Sequence, residues 1–123
     1  LLNAPCIAIV LADPRAYLQR YSESDKGATG LGASTEAWVA PYWTIDASFA
    51  TMTFLLSLED RGLGALFFAH SQEAELRHAF SIPEHVEVLG TIAFGYPEND
   101  VRKGRSSSRD SKSAHDVVHR LTW

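Results

Sequence analysis

Leu55-Leu56-Ser57-Leu58-Glu59-Asp60-Arg61-Gly62-Leu63-Gly64-Ala65-Leu66-Phe67-Phe68 decides the fold, because its periodicity changes in the middle. Upstream of Arg61 the apolar residues recur at helical spacing. Ile45, Phe49, Met52 and Leu56 form one stripe, and Phe54, Leu55 and Leu58 widen it, as expected for a deeply packed helix over residues 44–61. Thr44 is the expected N-cap, Asp46 suits the first turn and Arg61 the last, given the helix dipole. Gly62 then reads as the C′ residue, since glycine takes a positive φ without a Cβ clash. Beyond it, residues 63–69 are a continuous apolar run of strand length. Gly62-Leu63-Gly64 is therefore no dinucleotide fingerprint. That motif follows a strand, opens a helix and carries a third glycine, whereas here Phe67 stands at the third position.

Working outward, residues 6–11 (Cys-Ile-Ala-Ile-Val-Leu) read as a strand buried on both faces, bounded by Pro5 and Asp13-Pro14. A short helix over residues 15–21 follows, and then a loop over 22–34 with Gly27, Gly30 and Gly32. Downstream, Ser71 is the expected cap of a helix running to Phe80, with Glu73 and Glu75 in its first turns. Pro83 closes that segment, residues 86–94 form a third strand, and Gly95-Tyr96-Pro97 turns the chain. Residues 98–113 are polar and lean basic, with Arg102, Lys103, Arg105, Arg109 and Lys112, and read as a flexible loop. Either it is a solvated surface segment or its forked Arg and point-charge Lys donors bind an anion. Residues 114–123 regain apolar character and read as a docking tail. The order strand, helix, strand, helix, strand implies an α+β or α/β sandwich.

Composition narrows the function classes. The 123 residues amount to about one domain, and 46% hydrophobic content is ordinary for a folded protein. A formal charge of −4 argues against a general nucleic-acid binder. Cys6 is the single cysteine, which excludes an internal disulfide and points to a reducing, cytoplasmic compartment; in an apolar strand its thiol reads as inert. No apolar run approaches the roughly 20 residues of a membrane span. The apolar start lacks a basic flank, is broken by Pro5, and begins with Leu1, as in a processed or partial sequence. His115 and His119 stand at i and i+4, as in helical zinc sites, but Asp116 occupies the place of the metalloprotease Glu. Two histidines on a solvated terminal turn is the plainer reading, and no metal site is expected. No Gly-Xaa-Ser-Xaa-Gly elbow is present, and the adjacent Glu59-Asp60 do not face each other on a helix.

In order, these segments resemble the C-terminal half of the FMN-dependent nitroreductase family. The resemblance is carried by residues 4–10, by Trp43-Thr44-Ile45-Asp46-Ala47-Ser48, and by the helix-to-strand stretch quoted first. It continues through Ala74-Glu75-Leu76-Arg77, Ile82-Pro83, Ala93-Phe94-Gly95-Tyr96-Pro97, Asp116-Val117-Val118-His119-Arg120 and Trp123. It implies an α+β fold, a mixed sheet flanked by helices, with residues 1–123 as the C-terminal portion of the domain. It also implies a homodimer, FMN as cofactor and NAD(P)H as electron donor. The reaction implied is hydride transfer through the flavin to a nitro compound, quinone or similar small-molecule acceptor. By position, Phe68, Ala69 and His70 would lie beside the flavin ring, and Arg109 and Lys112 are the candidates for its phosphate. No catalytic side chain is singled out. Relatives often have glycine near Ala69 and Arg-Arg-Pro where this chain has Ser111-Lys112-Ser113. The family's N-terminal half, with its Arg-Ser-Xaa-Arg phosphate grip, has no counterpart in these residues. The alternative expectation is therefore a truncated, non-catalytic remnant or interaction module.

Overall fold

The computed structural model describes residues 3–98 and 108–121. Arg102, Lys103 and Arg105 of the basic stretch, and Trp123, lie outside the described residues. Strand β1 (Cys6–Ala12) leads into helix α1 (Pro14–Tyr21), and two short 3₁₀ turns (Gly27–Thr29 and Thr35–Ala37) follow. The long helix α2 (Tyr42–Asp60), strand β2 (Gly64–Phe68), helix α3 (Glu73–Phe80), strand β3 (Glu87–Gly95) and a short helix α4 (Ala114–Val117) complete the order. The three strands form one sheet in the order β1-β3-β2, antiparallel at both junctions. The α+β class expected from the segment order is present.

The helix-to-strand switch is built as its residues dictate. Gly62 has φ +69°, its N–H donates to the Glu59 carbonyl at 2.9 Å, and the Leu63 N–H donates to the Leu58 carbonyl at 3.0 Å. Those two bonds satisfy carbonyls that the helix leaves open and turn the chain straight into β2. At the other end of α2 the expected cap is not used. The helix begins at Tyr42 after Pro41, and Thr44 sits inside the first turn. Pro41 stands at the N-cap, where its carbonyl accepts the Thr44 and Ile45 N–H groups, and the Thr44 hydroxyl is committed to a tertiary partner, Glu87, at 2.8 Å. Ser71 likewise does not cap α3, which begins after Gln72 with no side-chain cap; Glu73 and Glu75 do occupy its first turn.

Two burial expectations are corrected. β1 is an edge strand, and Ile7 on it is 62% exposed. Its apolar run is covered on the side of α2, and the buried strand is the central one, where Thr91, Ile92 and Ala93 lie within the core. The second correction concerns α2. Phe49, Met52 and Leu56 of the expected core stripe are 68%, 56% and 62% exposed. The helix instead lays Ala47, Ala50, Thr51 and Phe54 along a groove against Ala8, Val10 and Ile92 of the sheet, and Leu58 is buried. Of the bulky residues of the helix, Trp43 and Leu58 are buried and Leu55 is half-buried. Phe54 closes the packing edge-on against Phe94, with ring centroids 5.5 Å apart.

Candidate functional site

The register brings three chain ends to one margin of the sheet. β1 ends with Ala12 opposite Glu87, the first residue of β3, and β2 ends with Phe68 opposite Thr91. The entrance of α2 is tied to the same margin. Trp43 Nε1 donates to Glu87 Oε1 at 2.9 Å and the Thr44 hydroxyl donates to Glu87 Oε2 at 2.8 Å. Both carboxylate oxygens are thus engaged, and Trp43 is buried.

On the β2 side of this margin lie the residues expected beside the flavin. Phe68 and His70 are half-buried and Ala69 between them is exposed. His70 Nδ1 is buried and has no hydrogen-bond partner among the described residues. Leaving such an atom unmet costs roughly 1–3 kcal/mol, so the position fits a polar group supplied from outside the described residues. One strand back, Phe67 lies across Gly90. A Cβ built on Gly90 would stand 2.4 Å from Phe67 Cζ, so any larger residue there must displace the Phe67 ring. Arg109 and Lys112 are exposed in the segment before α4. Among the described residues no hydrogen bond or ion pair joins them to Phe68, Ala69 or His70.

On the β1 side lies a feature that the sequence reading missed. Trp38 is the centre of an aromatic cluster linking α1 to the start of α2, with ring centroids 4.6 Å from Tyr21, 5.7 Å from Tyr17 and 5.9 Å from Tyr42. Its indole N–H donates to the Leu31 carbonyl at 2.8 Å, which fixes the ring. The Tyr17 hydroxyl donates to an Asp46 carboxylate oxygen. That bond, with burial and the charge of Asp46, pushes the Tyr17 phenol up to about 12. The cluster walls a cleft of about 370 Å³. Arg20, at the end of α1, forks onto Asp25 at 2.8 Å from each nitrogen, and this bond holds the Asp25 carboxyl down at about 2.

His115 lies on α4, and α4 ends before His119, so the two do not share a helix face. Ser113 donates both its N–H and its hydroxyl to Asp116, each at 2.8 Å, so the Asp of that motif serves the helix start. Among the described residues no three of His, Cys, Asp and Glu gather as metal ligands, and no helix is long and apolar enough to cross a membrane.

Comparison with known proteins adds the following. The model of the family described as the nitroreductase family matches residues 1–96. A relative from Methanothermobacter thermautotrophicus, whose name assigns it to NADH dehydrogenase/NAD(P)H nitroreductase, is 37% identical over 60 residues, which are 46% of this chain and 31% of that protein. Among solved structures, a nitroreductase family protein from Streptococcus pneumoniae TIGR4 superposes with a TM-score of 0.68 at 13% identity, covering 96% of this chain and 65% of that one. The NADPH:FMN oxidoreductase of Vibrio harveyi, complexed with NAD+, gives a TM-score of 0.53 at 20% identity, covering 100% of this chain and 62% of that one. An FMN-dependent nitroreductase from Clostridium difficile R20291 gives 0.52 at 18% identity, with 99% and 82% covered. At these identities the structures speak to the fold. The chain thus spans 31% of the length of the Methanothermobacter relative and 65% of that of the Streptococcus structure.

Proposed function

The chain belongs to the nitroreductase family, and from that premise we propose that it is part of an FMN-dependent oxidoreductase, with the flavin ring against the end of β2. The observation that carries this reading is the buried His70 Nδ1, without a partner among the described residues, at the place where the family resemblance puts the ring. A bound FMN would supply the redox chemistry, accepting a hydride from NAD(P)H and passing two electrons to a nitro compound, quinone or similar acceptor. The chain's own part is to bind and orient. His70 would meet a polar edge of the ring, the backbone N–H groups at Ala69 and His70 would donate to it, and Phe68 would pack beside it. Arg109 and Lys112 are the proposed phosphate partners, Arg by its forked donors and Lys by its point charge. Both are exposed, so they are free to close on an anion.

The outward stripe of Phe49, Met52 and Leu56 supports a homodimer, because a helix that is apolar on both sides is normally covered on both. The same stripe supports the second reading, a non-catalytic interaction module of this family. The two are separated by turnover. The chain joined to its natural upstream sequence, loaded with FMN, is mixed anaerobically with NADH or NADPH and then with a quinone or nitroaromatic. Bleaching of the flavin band by the nicotinamide and its return with the acceptor support the oxidoreductase. A folded, dimeric protein that retains no flavin leaves the interaction module. A cytoplasmic location accords with the single unpaired Cys6.

A further inference from the structure

The cleft around Trp38 lies on the β1 side of the sheet margin, and the flavin reading assigns it no role. Its walls are Tyr17, Tyr21, Trp38 and Tyr42, with Asp46 on its lining and Val39, 94% exposed, at its lip. About 370 Å³ is within the usual range for small-molecule sites, and the lining is mostly aromatic with one charged group, which is the usual composition of such a site. The sign of that group is what selects the ligand.

Asp46 accepts the Tyr17 hydroxyl through Oδ2 and has no ion-pair partner among the described residues. The cations described on this side of the fold pair with other groups than Asp46. Arg20 is forked on Asp25 and also reaches Glu23, and Lys26 sits 5.7 Å over the Tyr21 ring. That last contact shows one ring of the cluster already holding an ammonium against its face. Aromatic rings attract a cation through the negative potential of their faces, and a carboxylate beside them adds charge complementarity. An anion would meet Asp46 unfavourably, and a neutral apolar molecule would make no use of it.

We propose that this cleft binds a small organic cation, a quaternary ammonium or alkylamine, with its charged head between the aromatic rings and Asp46. The inference does not rest on the flavin reading, and its test needs no flavin. The probe is choline, titrated against its neutral carbon isostere, 3,3-dimethylbutan-1-ol, and followed by tryptophan fluorescence and by saturation transfer to the ligand in NMR. The expected result is saturable choline binding, tighter than the isostere by about tenfold. Asp46→Asn keeps an oxygen for the Tyr17 hydroxyl and should erase most of that preference while leaving the circular dichroism unchanged. Tyr42→Leu, at a ring that is 42% exposed, should weaken choline without unfolding the chain. Equal affinity for the two probes would overturn the proposal, since the cleft would then be merely apolar. So would the absence of saturable choline binding, or a preference that survives Asp46→Asn. Loss of choline binding as protein concentration rises would show that a second copy fills the cleft, which also overturns it.

Discussion

Removing the Glu87 carboxylate should be among the most damaging single changes outside the apolar core. Its two oxygens receive Trp43 Nε1 at 2.9 Å and Thr44 Oγ1 at 2.8 Å, across about forty residues of sequence. Hydrogen bonds to a charged acceptor contribute about 1.5–3 kcal/mol each, and an N–H left buried without a partner costs about 1–3 kcal/mol. Trp43 is only 7% exposed, so in Glu87→Ala its N–H is reached poorly by water, whereas Thr44 is half-buried and recovers some hydration. The expected loss for Glu87→Ala is about 3 kcal/mol. With a urea slope of about 1.5 kcal/mol per molar, the midpoint should fall by roughly 2 M. Glu87→Gln keeps one acceptor oxygen but turns an NH₂ toward the second donor, so it should fall between wild type and Ala, at about 1–2 kcal/mol. Urea unfolding followed by tryptophan fluorescence reads all three. A Trp43→Phe, Glu87→Ala cycle should give a coupling of about 1 kcal/mol or more. If Glu87→Ala lies within about 0.5 kcal/mol of wild type, the clamp does not hold α2 to the sheet and the reasoning is wrong.

Two further outcomes follow from the same structure. Gly90→Ala places a methyl 2.4 Å from the Phe67 ring and should cost about 1–3 kcal/mol, with Phe67→Leu in the same chain restoring part of it; a neutral Gly90→Ala in thermal denaturation would contradict the packing. Tyr17 has its folded pKa raised to about 12 from 10, so its bond to Asp46 stabilises the fold fully below about pH 10 and this contribution is lost as pH rises toward 12. Absorbance titration at the phenolate band should show one late-ionising tyrosine that Asp46→Asn brings back toward the others, and a wild-type titration without a late component would contradict it.

Much of the fold was legible because it is encoded locally. The Gly62 turn, the three apolar runs and the short helix after the first strand each depend on neighbours in sequence, and each is present in the fold. What could not be read was non-local. Thr44 has the side chain of a cap, but Glu87 competes for its hydroxyl from another strand. The stripe of Phe49, Met52 and Leu56 has the spacing of a core face, yet it is Trp43 and Leu58 of α2 that are buried. The aromatic cleft joins Tyr17 and Tyr21 to Trp38, Tyr42 and Asp46 through tertiary packing. Its one local hint was the density of rings from Trp38 to Trp43. Of the candidate site, Phe68, Ala69 and His70 are adjacent by covalent necessity, while the orphaned His70 nitrogen is a property only the folded chain reveals.

The most direct test of the central claim is the visible absorbance of the chain, alone and joined to its natural upstream sequence, after incubation with FMN and desalting, with His70→Ala measured alongside. The extended protein is expected to retain flavin absorbance in stoichiometric amount, and His70→Ala to lose a large part of it, because an edge contact of the ring has gone. An extended, folded protein that emerges colourless would contradict the account, and so would flavin retention that His70→Ala leaves unchanged, since the ring would then lie somewhere other than the end of β2.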